Sequence, residues 1–111
     1  MQAGQLKLLA VGSPNRWPTL PTVPTVAESG VPGYAVVGWY GWLYPAGTPK
    51  AIVDKTNEAL KTVLARPDVR DQLEKVGAVV HVSTPAQFGE HIVNEIAKWE
   101  SVRIKAGIEK K

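Results

Sequence analysis

The chain has 111 residues, room for one domain of ordinary size with an apolar core of its own. It contains no cysteine, which excludes disulfides and thiolate chemistry. Its formal charge of +3 is dispersed, with no basic block, which argues against a nucleic-acid surface.

No apolar run approaches the roughly 20 residues of a membrane-spanning helix. No charged n-region followed by an apolar h-region opens the sequence, so no signal peptide is expected. The run Leu6-Lys7-Leu8-Leu9-Ala10-Val11 reads as a short, mostly buried strand closed by Gly12, Ser13 and Pro14. Prolines 14, 18, 21, 24 and 32, with Gly12, Gly30 and Gly33, then exclude a long helix or a central strand. Within that region Thr25-Val26-Ala27-Glu28-Ser29-Gly30 suits one helical turn. Thr25 would cap it, Glu28 would bond back, and Gly30 would end it. A proline-rich ligand segment is the competing reading, disfavoured because such segments normally lie in disordered tails.

Residues 34–44 are β-branched and aromatic and predict a second strand. At about 3.3 Å per residue it would be long, and Gly38 and Gly41 are the natural places for a bend. The expectation is a strand in two pieces joined by a kink, as in a chain passing between two lobes. Thr48 is expected to cap a helix with Pro49 in its first position. Ile52, Thr56, Ala59, Leu60, Val63 and Leu64 mark that helix's inner face. Arg66-Pro67 breaks it. A shorter helix follows with Val69, Leu73 and Val76 inward and Gly77 as terminator. Residues 78–82 predict a strand. Ser83 or Thr84 with Pro85 starts a last helix, its inner face Phe88, Ile92, Ile96, Trp99 and Val102, with Gly107 at its end. The order describes an α/β unit of short strands and three main helices.

Chemistry-bearing constellations are sparse. His81 and His91 sit on separate elements without metal-ligand spacing, so no metal is expected. Ser13 and Ser29 have no identifiable base and lie in no nucleophile elbow. The acidic residues of the helices alternate with basic ones, as on a solvated face. No phosphate cradle is present, and neither a cofactor nor catalysis is expected. The Pro45-Ala46-Gly47-Thr48-Pro49 turn leads into a helix N-terminus, which favours anions, but Pro49 removes a donor there, so helix capping is the preferred reading.

Read in order, Gly4-Gln5-Leu6-Lys7-Leu8-Leu9-Ala10-Val11, Arg16, Leu20-Pro21-Thr22-Val23-Pro24-Thr25-Val26-Ala27-Glu28-Ser29-Gly30, Gly38-Trp39-Tyr40-Gly41 and Pro45-Ala46-Gly47-Thr48-Pro49 resemble a known family. So do Ala65-Arg66-Pro67-Asp68-Val69-Arg70, Thr84-Pro85-Ala86-Gln87-Phe88, Trp99 and Ala106-Gly107-Ile108. The resemblance is to the C-terminal third of the Bug family, periplasmic solute-binding receptors of tripartite tricarboxylate transporters, and it runs the length of the chain.

That resemblance implies a piece of a two-lobed flytrap that closes on a small carboxylate and works with the membrane components of a transporter. It implies a second-lobe remnant over residues 1–37, a hinge-crossing strand over 38–45, and part of the first lobe over 46–111. Ser13, Trp39 and Tyr40 are then the residues expected near the ligand. Most of the family's carboxylate-gripping loops have no counterpart here, so binding by the chain alone is expected to be impaired. The alternative is a non-enzymatic interaction module that forms homo-oligomers through uncovered apolar surface.

Overall fold

The computed structural model describes residues 6–110. Residues 1–5, which open the first expected segment and supply Gly4 and Gln5 to the resemblance, lie outside them, as does Lys111. The chain divides into two compact units, one ending at Tyr40 and the next beginning at Gly41.

In the first unit the chain is held by turns and one parallel bridge, between Val11 and Thr25. Val11 donates to the Pro24 carbonyl at 2.9 Å and its own carbonyl accepts from Val26 at 2.9 Å. On the other edge the Gly12 carbonyl accepts from Val36 at 2.9 Å. The Thr25 turn forms as its sequence predicts. Thr25 Oγ1 accepts from the Glu28 amide at 3.1 Å, Glu28 Oε2 accepts from the Thr25 amide at 2.7 Å, and Gly30 follows with φ of 111°.

The second unit carries α1 (Lys50–Leu64), α2 (Pro67–Lys75) and α3 (Pro85–Lys105), with α1 packed on both of the others. Pro67 fixes the start of α2, and Arg70 Nε donates to the Leu64 carbonyl at 2.9 Å, satisfying an end group of α1. Thr84 and Gln87 form a reciprocal capping box at the start of α3. Helices α2 and α3 both end in Schellman motifs. Gly77 donates to Glu74 and Ala78 to Leu73; Gly107 donates to Ile104 and Ile108 to Arg103. Asn57 Nδ2 donates to the Ser83 carbonyl at 2.9 Å, tying the middle of α1 to the approach of α3.

Three expectations are corrected. The strands predicted over 6–11, 34–44 and 78–82 are not assigned among the described residues. A strand exists by virtue of its ladder, and β-branched composition supplies no partner. Here Val11 pairs with Thr25 and Gly12 accepts one bond from Val36, and no ladder grows from either. Second, Thr48 does not cap α1. Its amide and its hydroxyl both donate to the Pro45 carbonyl, at 3.3 and 2.9 Å, closing a type II turn with Gly47 at φ of 84°. That bond turns the Thr48 side chain back toward Pro45, and the N-cap falls one residue later, on Pro49, with no side-chain cap.

Third, the length of the chain does not deliver a core. Among the described residues no apolar side chain is buried, and Thr25, at 2% exposure, is the one that reaches full burial. Helix α1 packs on α2 and on α3, and an apolar helix face needs an opposing layer to be buried. On α3, Phe88 and Ile92 are half-buried while Ile96, Trp99 and Val102 are exposed. Its 21 residues run about 31 Å against about 22 Å for the 15 residues of α1, which cannot cover it end to end.

Candidate functional site

The site residues expected from the resemblance, Ser13, Trp39 and Tyr40, all belong to the first unit. Ser13 follows the Val11–Gly12 segment directly and is half-buried. Its Oγ donates to the Asn15 carbonyl at 2.7 Å, which fixes a tight turn at the carboxyl end of the Val11–Thr25 parallel pair. In open α/β sheets this end of a parallel pair is where ligands settle. Gly12 lets the Val36 stretch approach closely, because a Cβ there would lie 3.0 Å from the Val36 carbonyl oxygen.

The bond from Val36 to Gly12 brings the two stretches side by side, with Trp39 and Tyr40 three and four residues further along. Trp39 is 41% exposed and Tyr40 98% exposed. Backbone amides and a phenol are neutral donors that suit a carboxylate, while the Ser13 hydroxyl has its one hydrogen on the Asn15 carbonyl.

Near Ser13 stands a pair that no sequence motif singles out. Arg16 Nε donates to both oxygens of Glu28, at 3.2 and 3.0 Å, and Arg16 Nη1 donates to the Pro21 carbonyl at 3.1 Å. The Arg16 guanidinium, followed by the Thr25 amide, holds the Glu28 carboxyl below its ordinary 4.5. A signal for it is present in composition: between Lys7 and Lys50 the sequence carries two charged side chains, and they are these two.

Elsewhere several titratable groups lie on the helices. His81 is exposed, and the His91 ring stacks on Phe88 with centroids 6.3 Å apart. Glu95 accepts from Lys98 and, at 2.9 Å, from Trp99 Nε1, and these bonds lower its pKa. Among the described residues no group of three His, Cys, Asp or Glu side chains could hold a metal, and no helix is long and apolar enough to cross a membrane.

Known proteins match along nearly the whole chain. The family model described as "Tripartite tricarboxylate transporter family receptor" matches residues 1–108. Protein BugT of Bordetella pertussis is 31% identical over 107 residues, which is 96% of this chain and 33% of that protein. A UPF0065 protein from the tcbD-tcbE intergenic region of Pseudomonas sp. strain P51 is 33% identical over 104 residues, 93% of this chain and 31% of its own length.

Among solved structures, the periplasmic binding protein BugD superposes with a TM-score of 0.83 and 36% identity, over 100% of this chain and 38% of that one. R. palustris Rpa4515, solved with adipate, gives a TM-score of 0.80 and 38% identity over 96% of this chain and 36% of its own. The chain thus spans about a third of the first relatives it matches, and its fold is an α/β piece of a periplasmic-binding-protein architecture. With a family model covering residues 1–108 and these relatives along its length, the chain belongs to the tripartite tricarboxylate transporter receptor family, the Bug-type solute-binding proteins.

Proposed function

We propose that the chain is the closing part of a receptor that clamps small carboxylates for a tripartite tricarboxylate-type transporter. The observation that carries this is the likeness to Rpa4515, solved with adipate, at 38% identity across 96% of the chain. In this reading residues 1–37 belong to the second lobe, 38–45 cross the hinge and 46–111 belong to the first lobe. The division of the chain between Tyr40 and Gly41 supports it. Ser13, Trp39 and Tyr40 face the ligand, the receptor works in the periplasm, and it delivers its solute to the transporter's membrane components.

A site of this kind encloses most of its ligand's surface, and a third of the fold supplies neither that enclosure nor the full donor set. Binding by the 111-residue chain is therefore weak. Calorimetry and amide chemical shifts with adipate test this. Millimolar-range perturbation centred on Ser13, Trp39 and Tyr40, with no submillimolar heat, is expected. Perturbation confined to the helices would overturn the site, and submillimolar binding would overturn the impairment.

One observation favours a second reading, an interaction module that associates with its own copies: the absence of any buried apolar side chain among the described residues, with Ile96 and Ile104 more than half exposed. Sedimentation of the purified chain separates the two, since a clean monomer removes the oligomer.

A further inference from the structure

In a stretch otherwise free of charge, Arg16 and Glu28 meet across twelve positions of sequence. Each also holds backbone. Arg16 Nη1 binds the Pro21 carbonyl, while Glu28 Oε2 binds the Thr25 amide and the Glu28 amide binds Thr25 Oγ1. Among the described residues Thr25 is the fully buried one, it is the parallel partner of Val11, and Ser29 Oγ closes the turn by donating to the Thr25 carbonyl at 2.8 Å. Because the pair is parallel, the turn after Val11 and the turn after Thr25 leave from the same end. Arg16 reaches from the first of these turns to the second. It sits three residues beyond Ser13 and one beyond Asn15, whose carbonyl holds the Ser13 hydroxyl.

We propose that Arg16 and Glu28 are positioning residues for the ligand loop: together they clamp residues 12–15 onto the Thr25 turn and so fix the Ser13 turn at the carboxylate-binding end of the parallel pair. The inference rests on the receptor reading above. Arg16 does this through Glu28 and the Pro21 carbonyl; it is not itself the anion's counter-ion, because Glu28 neutralises it and occupies its Nε edge.

The sign of one mutation separates the two roles. If Arg16 attracted the ligand by charge, Glu28→Ala would unmask a cation and tighten adipate binding. If the pair positions the loop, Glu28→Ala and Arg16→Ala both weaken it. In amide-shift titrations of the 111-residue chain with adipate, each variant is expected to weaken binding about fivefold, the upper range for an exposed ion pair. The double variant is expected to be no worse than either single one, since both remove one unit. Tighter binding by Glu28→Ala, or unchanged binding by Arg16→Ala, overturns the proposal.

A second measurement needs no ligand. Amide exchange at Val11, Val26 and Val36, which carry the bonds joining the three stretches, is expected to accelerate about fivefold in both variants while α3 amides keep their rates. Unchanged exchange at those amides overturns the clamp. If the chain gives no adipate-dependent shifts at Ser13, the assignment of Ser13 to the ligand site fails, and the exchange result still decides whether the pair holds the loop.

Discussion

Gly41 and Phe88 claim the same space: a Cβ built on Gly41 would lie 1.9 Å from Cζ, 2.5 Å from Cε1 and 2.8 Å from Cε2 of the Phe88 ring. Gly41 is not in the left-handed region of backbone space, so nothing in its own φ calls for glycine. What the position demands is the absence of a side chain, so that the first ring of α3's inner face can lie against the backbone. The sequence assigns Gly38 and Gly41 a shared role as a bend; the structure gives them different environments.

Gly41→Ala is therefore expected to cost about 1–3 kcal/mol, the range for forcing a methyl into filled space, read as a lowered thermal midpoint. Gly38 has no atom within 4 Å of where a methyl would stand, and no positive φ. Gly38→Ala is expected to be neutral or to stabilise by up to about 1 kcal/mol by restricting the unfolded chain. Equal losses at both positions would restore the shared role.

The glycine inside α3 and the one at its end should also respond with opposite signs. Gly107 sits at φ of 67° and closes the Schellman motif, so Gly107→Ala is expected to cost about 1 kcal/mol. Gly89 lies inside α3 with open space around it, and Gly89→Ala is expected to gain about 0.5–1 kcal/mol. Urea midpoints followed by helical circular dichroism check both, and a loss at Gly89 would mean that another group packs against that face of α3.

Acid should act through a small set of carboxylates. Arg16 lowers Glu28, Lys98 and then Trp99 lower Glu95, Arg103 lowers Glu100, and Arg66 lowers Asp68. Each folded pKa lies below its unfolded value, so each contribution is complete above the ordinary 4.5 of the glutamates or 3.8 of Asp68 and is lost as pH falls through the folded value. Stability is expected to stay level down to about pH 5 and to decline below it. The Glu28 titration followed by carbon NMR should have its midpoint below 4.5 and move upward in Arg16→Ala. A midpoint indifferent to Arg16 would contradict the pairing.

The two helix-starting threonines differ in what they hold. Thr84 Oγ1 accepts from the Gln87 amide at 3.2 Å while Gln87 Oε1 accepts from the Thr84 amide at 2.9 Å. Thr84→Ala is expected to cost about 1 kcal/mol. Thr48 closes the preceding turn instead, so Thr48→Ala is expected to leave the α1 helical signal intact. Fraying of α1 in that variant would show that the hydroxyl caps after all.

These contrasts also mark what is readable in the sequence. The starts of α2 and α3 and their ends follow from residues within a turn of each other: Arg66-Pro67, Gly77, Thr84-Pro85, Gly107. The Thr25–Glu28 box is equally local. The displaced cap at Thr48 is also local, because the turn with Gly47 at its third position aims the Thr48 side chain back at the Pro45 carbonyl. What escapes the sequence is non-local. Neither composition nor period says that Val11 pairs with Thr25 or that Phe88 needs a bare Gly41, and of the Arg16–Glu28 pair composition says only that the two stand alone in an uncharged stretch. The absent core is of the same kind, since an amphipathic pattern states which face is apolar and not whether anything covers it. Ser13, Trp39 and Tyr40 are reached through family resemblance, and their spacing alone does not single them out.

Tyr40 offers the cleanest test of that site, because it carries almost no structural duty. At 98% exposure its ring buries next to nothing, so Tyr40→Ala should change stability by less than about 0.5 kcal/mol. Its phenol is a donor that a carboxylate can take, and losing a bond to a charged group costs on the order of tenfold in affinity. Tyr40→Ala is therefore expected to weaken the adipate response at Ser13 about tenfold with an unchanged thermal midpoint. Tyr40→Phe, which keeps the ring and removes the hydroxyl, is expected to reproduce that loss. If Tyr40→Phe binds like the parent and Tyr40→Ala does not, the ring and not the phenol makes the contact. If neither variant changes the titration, Tyr40 faces solvent and the ligand site contracts to Ser13 and Trp39.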